Sequence, residues 1–263
     1  MRMRLSQSHL TMLDLCPRKF QYTYLDQYGT PISPDQQLRF EWGNQFHLLM
    51  QQRELELPID YAVPNDERHL LQHVGALVDG APDLFQVQPG RIRQSEHRRS
   101  LTVQDYLLTV IYDLVVLDDQ QAQIVDWKTY PKPQNRHHLE HHWQTKLYPF
   151  VLAETSDYAP EQISMTYWFV QAGRDQIPRP QHLRFGYSIA QHEQIRHELT
   201  GKLSQLTEWL ERDHRTASFQ KVDDALGVCE RCSFAIRCQR GEFSPSTRDE
   251  RLPPVSEIQE VIL

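Results

Sequence analysis

Ile124-Val125-Asp126-Trp127-Lys128-Thr129 is the stretch on which the fold turns. Its β-branched and aromatic residues predict a strand, and strand side chains alternate between faces, so Asp126 and Lys128 share one side while Val125, Trp127 and Thr129 share the other. Just upstream, Leu107, Val110, Ile111, Leu114, Val115, Val116 and Leu117 form a second β-type run, separated from the first by the turn-like Asp118-Asp119-Gln120. The two runs predict a hairpin of buried strands, and pairing across it sets Asp113 beside Asp126. Two converging carboxylates are hard oxygen ligands suited to Mg²⁺ or Mn²⁺. With a metal, Lys128 is placed to orient a water or to stabilise charge on a phosphate oxygen. The same three residues also make an ordinary ion pair at a hairpin end, and D-x-K alone leaves both readings open.

Working outward, the pattern alternates helices and strands with no internal repeat. Ser6 or Ser8 caps a first helix carrying Leu10, Leu13 and Phe20 and ending within residues 22–29. Pro31 and Pro34 mark a loop. A second helix is predicted over residues 35–56, with Phe46, Leu49 and Met50 on its apolar side, and a third over 66–78. After the hairpin come a helix over 138–154, strands at 163–171 and 183–189 joined by a charged loop, and a long amphipathic helix marked by Ile195, Leu199, Leu203, Leu206 and Leu210. The segment after Cys238 is rich in proline and serine and reads as an extended tail.

A chain of 263 residues with 39% hydrophobic content can bury one substantial core. No stretch approaches the roughly 18 to 20 apolar residues of a membrane span, and no apolar run follows the two N-terminal arginines. We therefore expect a soluble, cytoplasmic protein without membrane partners. The formal charge of −7 argues against a general polyanion binder, yet permits carboxylate-bound metal within a locally basic groove. Four cysteines are divided between the chain ends: Cys16 alone, and Cys229, Cys232 and Cys238 as C-x2-C-x5-C. In a reducing compartment such a set suggests a metal or cluster site tying the ends together, with disulfides the lesser reading.

With these motifs in place, the chain resembles the PD-(D/E)XK nuclease superfamily, in its RecB-like or CRISPR-associated-type branch carrying a C-terminal 4Fe-4S cluster. Leu5-Ser6-Gln7-Ser8 followed by Cys16-Pro17-Arg18-Lys19-Phe20 resembles the family's opening helix with its first cluster cysteine. Trp42-Gly43-Asn44-Gln45-Phe46-His47 resembles its glycine-then-histidine helix, Tyr112-Asp113-Leu114-Val115 its first metal-binding aspartate, and residues 124–129 its second aspartate with the lysine. Gln144-Thr145-Lys146-Leu147-Tyr148 is similar to its Q-x-x-x-Y motif. Five motifs in the family's order are more specific than any one of them. One departure is that Val110 and Ile111 stand where the family often has glycine and a basic residue, which leaves metal ligation intact but lacks a glycine's close backbone approach.

The resemblance implies an α/β fold: a restriction-endonuclease-like core with a mixed central sheet flanked by helices. A cluster-bound helical region would join the two termini. It implies a single domain over 1–240, with 1–30 and 221–240 forming the iron-sulfur region, and a tail over 241–263. It further implies that His47, Asp113, Asp126 and the carbonyl of Trp127 hold Mg²⁺ or Mn²⁺, that Lys128, Asp113 and Asp126 are catalytic, and that Gln144 and Tyr148 support the site and the DNA. Cys16, Cys229, Cys232 and Cys238 would hold a 4Fe-4S cluster, with a structural Zn²⁺ as the alternative. The implied activity is a metal-dependent exonuclease on single-stranded DNA or DNA ends, in repair, recombination or CRISPR adaptation, with a helicase or adaptation proteins as partners. A non-catalytic iron-sulfur DNA-binding or docking subunit is the alternative.

Two features stay outside this pattern. Glu96 is either a further acid of the site or a surface group paired with Arg91, Arg93, Arg98 and Arg99. His137-His138-Leu139-Glu140-His141 satisfies H-x-x-E-H, the inverted zinc-protease pattern, with Glu154 as a downstream acidic ligand. Such a short pattern arises easily in a His-rich segment, and His137, His138, His141 and His142 could equally contact a DNA backbone.

Overall fold

The computed structural model describes residues 3–30, 32–59, 68–132, 135–170, 179–212 and 218–240. Its strands are β1 (Met3–Leu5), β2 (Ile92–Val103), β3 (Tyr106–Leu117), β4 (Ala122–Lys128), β5 (Ile163–Phe169) and β6 (Gln181–Gly186). The predicted hairpin is β3 and β4, antiparallel, with Leu114 opposite Val125 and Leu117 opposite Ala122. β2 runs antiparallel along the whole of β3, and β1 joins the start of β3 in parallel. β5 lies parallel to β4, and β6 pairs antiparallel with β5. The result is the expected mixed sheet, six-stranded among the described residues.

β3 changes partners along one edge. It pairs with β1 over residues 106–108 and with β4 over residues 114–117, so the handover falls just before Asp113. Side-chain alternation slips at the same place. Tyr106, Leu108, Val110 and Tyr112 belong to one core, Leu114 and Val116 to the other, and Val115 returns to the first.

Helices cover both faces: α1 (Gln7–Leu15), α2 (Pro17–Phe20), α3 (Pro34–Glu54), α4 (His69–Gly80), α5 (Pro82–Phe85), α6 (Arg136–Glu140), α7 (Trp143–Glu154) and α8 (Ile189–Glu211). On one face, Leu10 and Leu13 of α1, Leu147 and Phe150 of α7, and Leu199 and Leu203 of α8 pack on Ile124 and Tyr167. On the other, Phe46 and Leu49 of α3, Leu77 of α4 and Phe85 of α5 pack on Val125 and Trp127. β4 is thus buried on both sides, as its near-continuous apolar run anticipates. Asp14 fastens the first layer together, meeting the Trp143 indole N–H and the Lys202 ammonium.

Several boundaries differ from expectation. The first helix breaks at Cys16, whose φ of −167° and ψ of 114° are extended; proline at the next position disfavours the helical region. After α2 the chain makes one π turn over Gln21–Leu25. The helix expected over 138–154 is two, because His142 is extended and its side chain accepts from Gln144 N, starting α7 on its own cap. β6 ends at Gly186, and Ser188 caps α8, so Ile189 is helical. Pro31, the start of the third helix at residue 66, the connection over 171–178 and the tail over 241–263 lie outside the described residues.

α7 is enclosed nearly all round, and Leu147 is 0% exposed whereas Leu38 on α3 is 64% exposed. Leu147→Ala should therefore cost about 2–5 kcal/mol in urea denaturation. Leu38→Ala should stay within about 0.5 kcal/mol.

Candidate active site

The antiparallel register that sets Leu114 against Val125 brings Asp113 opposite Asp126 at the next step. Asp113 reaches across this end of the hairpin, its Oδ2 accepting from Trp127 N at 2.7 Å. Ser95 Oγ donates to the Asp113 carbonyl at 3.1 Å, so the residue is fixed from both sides.

Asp126 and Lys128 share a face, as period-two alternation requires. Lys128 Nζ lies 2.5 Å from Asp126 Oδ1. Gln144 of α7 completes a triangle, donating from Nε2 to Asp126 Oδ2 at 2.5 Å and accepting from Lys128 Nζ at 2.9 Å. Asp126 is only 3% exposed. Its Oδ1 is held by the Lys128 ammonium and its Oδ2 by Gln144.

His47 arrives from the other layer. Phe46, Leu49 and Met50 anchor α3 in its core, leaving His47 half-buried with Nδ1 3.3 Å from Asp113 Oδ1. Gly43, one turn earlier, permits this approach, because a Cβ there would stand 3.2 Å from Thr129 Oγ1, tighter than side chains normally pack. Thr129 is on the α3 side of the strand end, opposite Asp126 and Lys128, as the alternation anticipates.

Glu96 on β2 is the residue whose part in the site was ambiguous in sequence. It faces Asp113 across the β2–β3 pairing, and one ligating atom each from Glu96, His47 and Asp113 lies within 4.8 Å of the others. Its φ of 49° is left-handed, a conformation costly for a non-glycine residue and enriched at functional sites. The neighbouring arginines turn elsewhere: Arg91 and Arg93 bond the carbonyls of Asp83 and Phe85, and Arg99 bonds that of Thr155.

The electrostatics run in one direction. Burial and then the adjacent Asp113 charge hold the Asp126 carboxyl above its usual range, and Lys128 only partly offsets them. Burial and Asp113 likewise raise Glu96. For His47, burial favours the neutral ring, but the Asp113 hydrogen bond and charge prevail and raise its pKa. Burial also opposes the Lys128 ammonium, yet Asp126 and Asp113 outweigh it. The two acids are raised chiefly by burial, and the two bases by their carboxylate neighbours. The imidazole of His47 and the carboxylates of Glu96 and Asp113, gathered within 4.8 Å, fit a divalent cation.

Gln144 and Tyr148 do share a helical face but stand in the wall, both buried, rather than lining an open groove. Tyr148 bonds Gln144, and burial followed by the Asp126 and Asp113 charges raises its pKa.

The four cysteines line one cavity with Lys19, Lys221 and Phe234, and none is in a disulfide. Arg18 N and Nε donate to the carbonyls of Gln220 and Phe219, while Gln21 Oε1 accepts from Phe219 N at 2.9 Å. Lys221 Nζ then reaches the Cys238 carbonyl at 2.6 Å. The chain ends are joined as the split cysteines suggest. By contrast, Glu154, the acid a zinc protease would require, is bound to Arg196 and His192.

Comparison with known proteins agrees with this fold. The family profile of the PD-(D/E)XK nuclease superfamily matches residues 4–239. The crystal structure of a candidate exonuclease from Eubacterium rectale superposes with a TM-score of 0.54 at 9% identity, covering 93% of this chain and 91% of that one. That of SSO0001 gives a TM-score of 0.39 at 13% identity, covering 89% and 85%. No curated protein matches the chain. The first likeness concerns the fold, and no argument rests on the second.

Gln144→Leu removes the donor to Asp126 and the acceptor for Lys128 together. We expect a loss of about 1–3 kcal/mol in urea denaturation, the cost of stranding buried polar groups.

Proposed function

This chain belongs to the PD-(D/E)XK nuclease superfamily, and we propose that it is a divalent-metal-dependent deoxyribonuclease hydrolysing phosphodiester bonds in single-stranded DNA or at DNA ends. The observation that carries the reading is the convergence of Asp113, Asp126 and Lys128 at one strand end, with His47 on Asp113. His47, Asp113, Asp126 and the Trp127 carbonyl would hold Mg²⁺ or Mn²⁺, with Glu96 as a further acidic neighbour. An imidazole in the set favours Mn²⁺ over Mg²⁺. When bound, the ion supplies Lewis acidity and lowers the pKa of a water.

The chain's own groups perform the rest. Lys128 keeps its proton because the carboxylates around it outweigh burial, so it acts as a cationic donor rather than a base. It orients the attacking water or neutralises charge developing on a phosphate oxygen. Gln144 restrains the ammonium from behind and keeps Asp126 aimed inward. The complete Asp113, Asp126 and Lys128 set speaks against a non-catalytic docking subunit. An overall acidic chain suits this chemistry because a bound cation offsets the carboxylates where DNA would approach.

Cys16, Cys229, Cys232 and Cys238 would carry a 4Fe-4S cluster with a structural role, closing the long loop between the chain ends. Unpaired cysteines accord with a reducing cytoplasm. DNA repair, recombination or CRISPR adaptation would supply such substrates, with a helicase or adaptation proteins as partners.

With Mn²⁺, purified protein should degrade labelled single-stranded DNA. Lys128→Ala should keep the circular dichroism of the parent yet cut at least about 100-fold more slowly, the scale for loss of one charge-stabilising donor. Equal cutting by this variant would overturn the assignment. Anaerobically prepared protein should be brown with a broad visible absorbance shoulder that Cys16→Ser abolishes. A colourless, zinc-containing protein would replace the cluster with Zn²⁺.

A further inference from the structure

A second group of ligating side chains stands outside the Asp113–Asp126 centre. His137, Glu140 and His141 each bring one imidazole nitrogen or carboxylate oxygen within 4.8 Å of the other two, and all three are exposed. Positions i, i+3 and i+4 share a helical face. The two imidazole rings lie with centroids 4.0 Å apart at 75°.

The surroundings prepare one ring for ligation. His141 Nδ1 faces the His137 carbonyl at 3.1 Å. A carbonyl can only accept, so this bond puts the ring proton on Nδ1 and leaves the Nε2 lone pair outward. Metal-ligating histidines are oriented in this way. The Asn135 side chain accepts from His137 N at 2.9 Å, fixing the backbone that carries the first ligand. Bonds of about 2.0–2.2 Å in a tetrahedral zinc site put ligand atoms about 3.3 Å apart. The observed separations, all within 4.8 Å, leave at most about 1.5 Å to close.

The geometry also reassigns the H-x-x-E-H pattern. In a zinc protease the glutamate stays off the metal as a base, and a later acid completes the ligand set. Here Glu140 is inside the ligand group, and Glu154 is held by Arg196 and His192. We propose that His137, Glu140 and His141 form a surface, non-hydrolytic site for a borderline divalent metal of the Zn²⁺ class, with water as fourth ligand. Two imidazoles and one carboxylate select that class over Mg²⁺. The site ties α6 to the chain immediately before α7. His142, the next residue, caps α7 through Gln144 N at 3.3 Å, and Gln144 holds Asp126 and Lys128. Metal bound on α6 therefore braces the start of the helix that supports the active site.

Calorimetric titration of the full chain with ZnCl₂ tests this. Wild type, His137→Ala, His141→Ala and His138→Ala are compared as purified, so zinc taken up by the cysteines or the Asp113 centre is common to all and cancels. His137→Ala and His141→Ala should each lose one zinc equivalent, Glu140→Gln should weaken that equivalent, and His138→Ala should keep the wild-type stoichiometry. Unchanged stoichiometry in His137→Ala and His141→Ala would overturn the site. So would an equal loss in all three histidine variants, which would mean diffuse chelation by the His-rich segment.

Discussion

The handover of β3 from β1 to β4 is the constraint on which the rest of the structure depends. One strand cannot pair with both neighbours at the same height, so its edge is passed from one to the other just before Asp113. A main-chain donor of β4 is met there by a side chain, Trp127 N bonding Asp113 Oδ2. The slip in alternation lets Tyr112 serve one core and Leu114 the other. Asp113 is thereby held at the seam between them, and the left-handed Glu96 opposite belongs to the same irregularity. Acidic groups collect where the ladder cannot be regular, which is where unsatisfied polar groups can be tolerated only if something else binds them.

Much of this was legible in sequence because it follows from period-two geometry. The common side of Asp126 and Lys128, the opposite side of Thr129 and the meeting of Asp113 with Asp126 all follow from a hairpin of buried strands. The long apolar stripe of α8 was equally plain. β2 carries no such apolar alternation: Ile92-Arg93-Gln94-Ser95-Glu96-His97 is polar because much of that strand remains accessible. Glu96 was correspondingly ambiguous, and its facing of Asp113 depends on a backbone conformation that composition does not encode. His47 came only through family resemblance, since a histidine on an apolar helix looks like any interior histidine until its partner is placed. The break at His141–His142 was hidden by uniformly helix-compatible residues and arises from histidine acting as a cap, an uncommon choice.

The cysteine region is assembled by a different logic. Arg18 and Gln21 use main-chain partners to stitch the first segment to Phe219 and Gln220, and Lys221 ties that stretch on to Cys238. Tyr22 packs edge-on against Phe234 beside Cys238. Much of the region's C-terminal half is short helical turns rather than long elements, so its order depends on these ties and on whatever its thiolates bind. The sheet and its two helical cores need no such help. Phe20 and Phe219 are buried in the larger core, so the two ends are part of the nuclease fold rather than additions to it.

His47 and Gln144 belong to opposite layers of the molecule, one riding on α3 and the other on α7, and they meet only at the end of β4. The site therefore reads the alignment of two separately packed slabs. A small slide of one slab over the sheet would part His47 from Asp113 while Gln144 kept its grip on Asp126 and Lys128. The meeting of His47 with Asp113 is then a mechanical property of layer registry, open to adjustment by forces applied far from the end of β4.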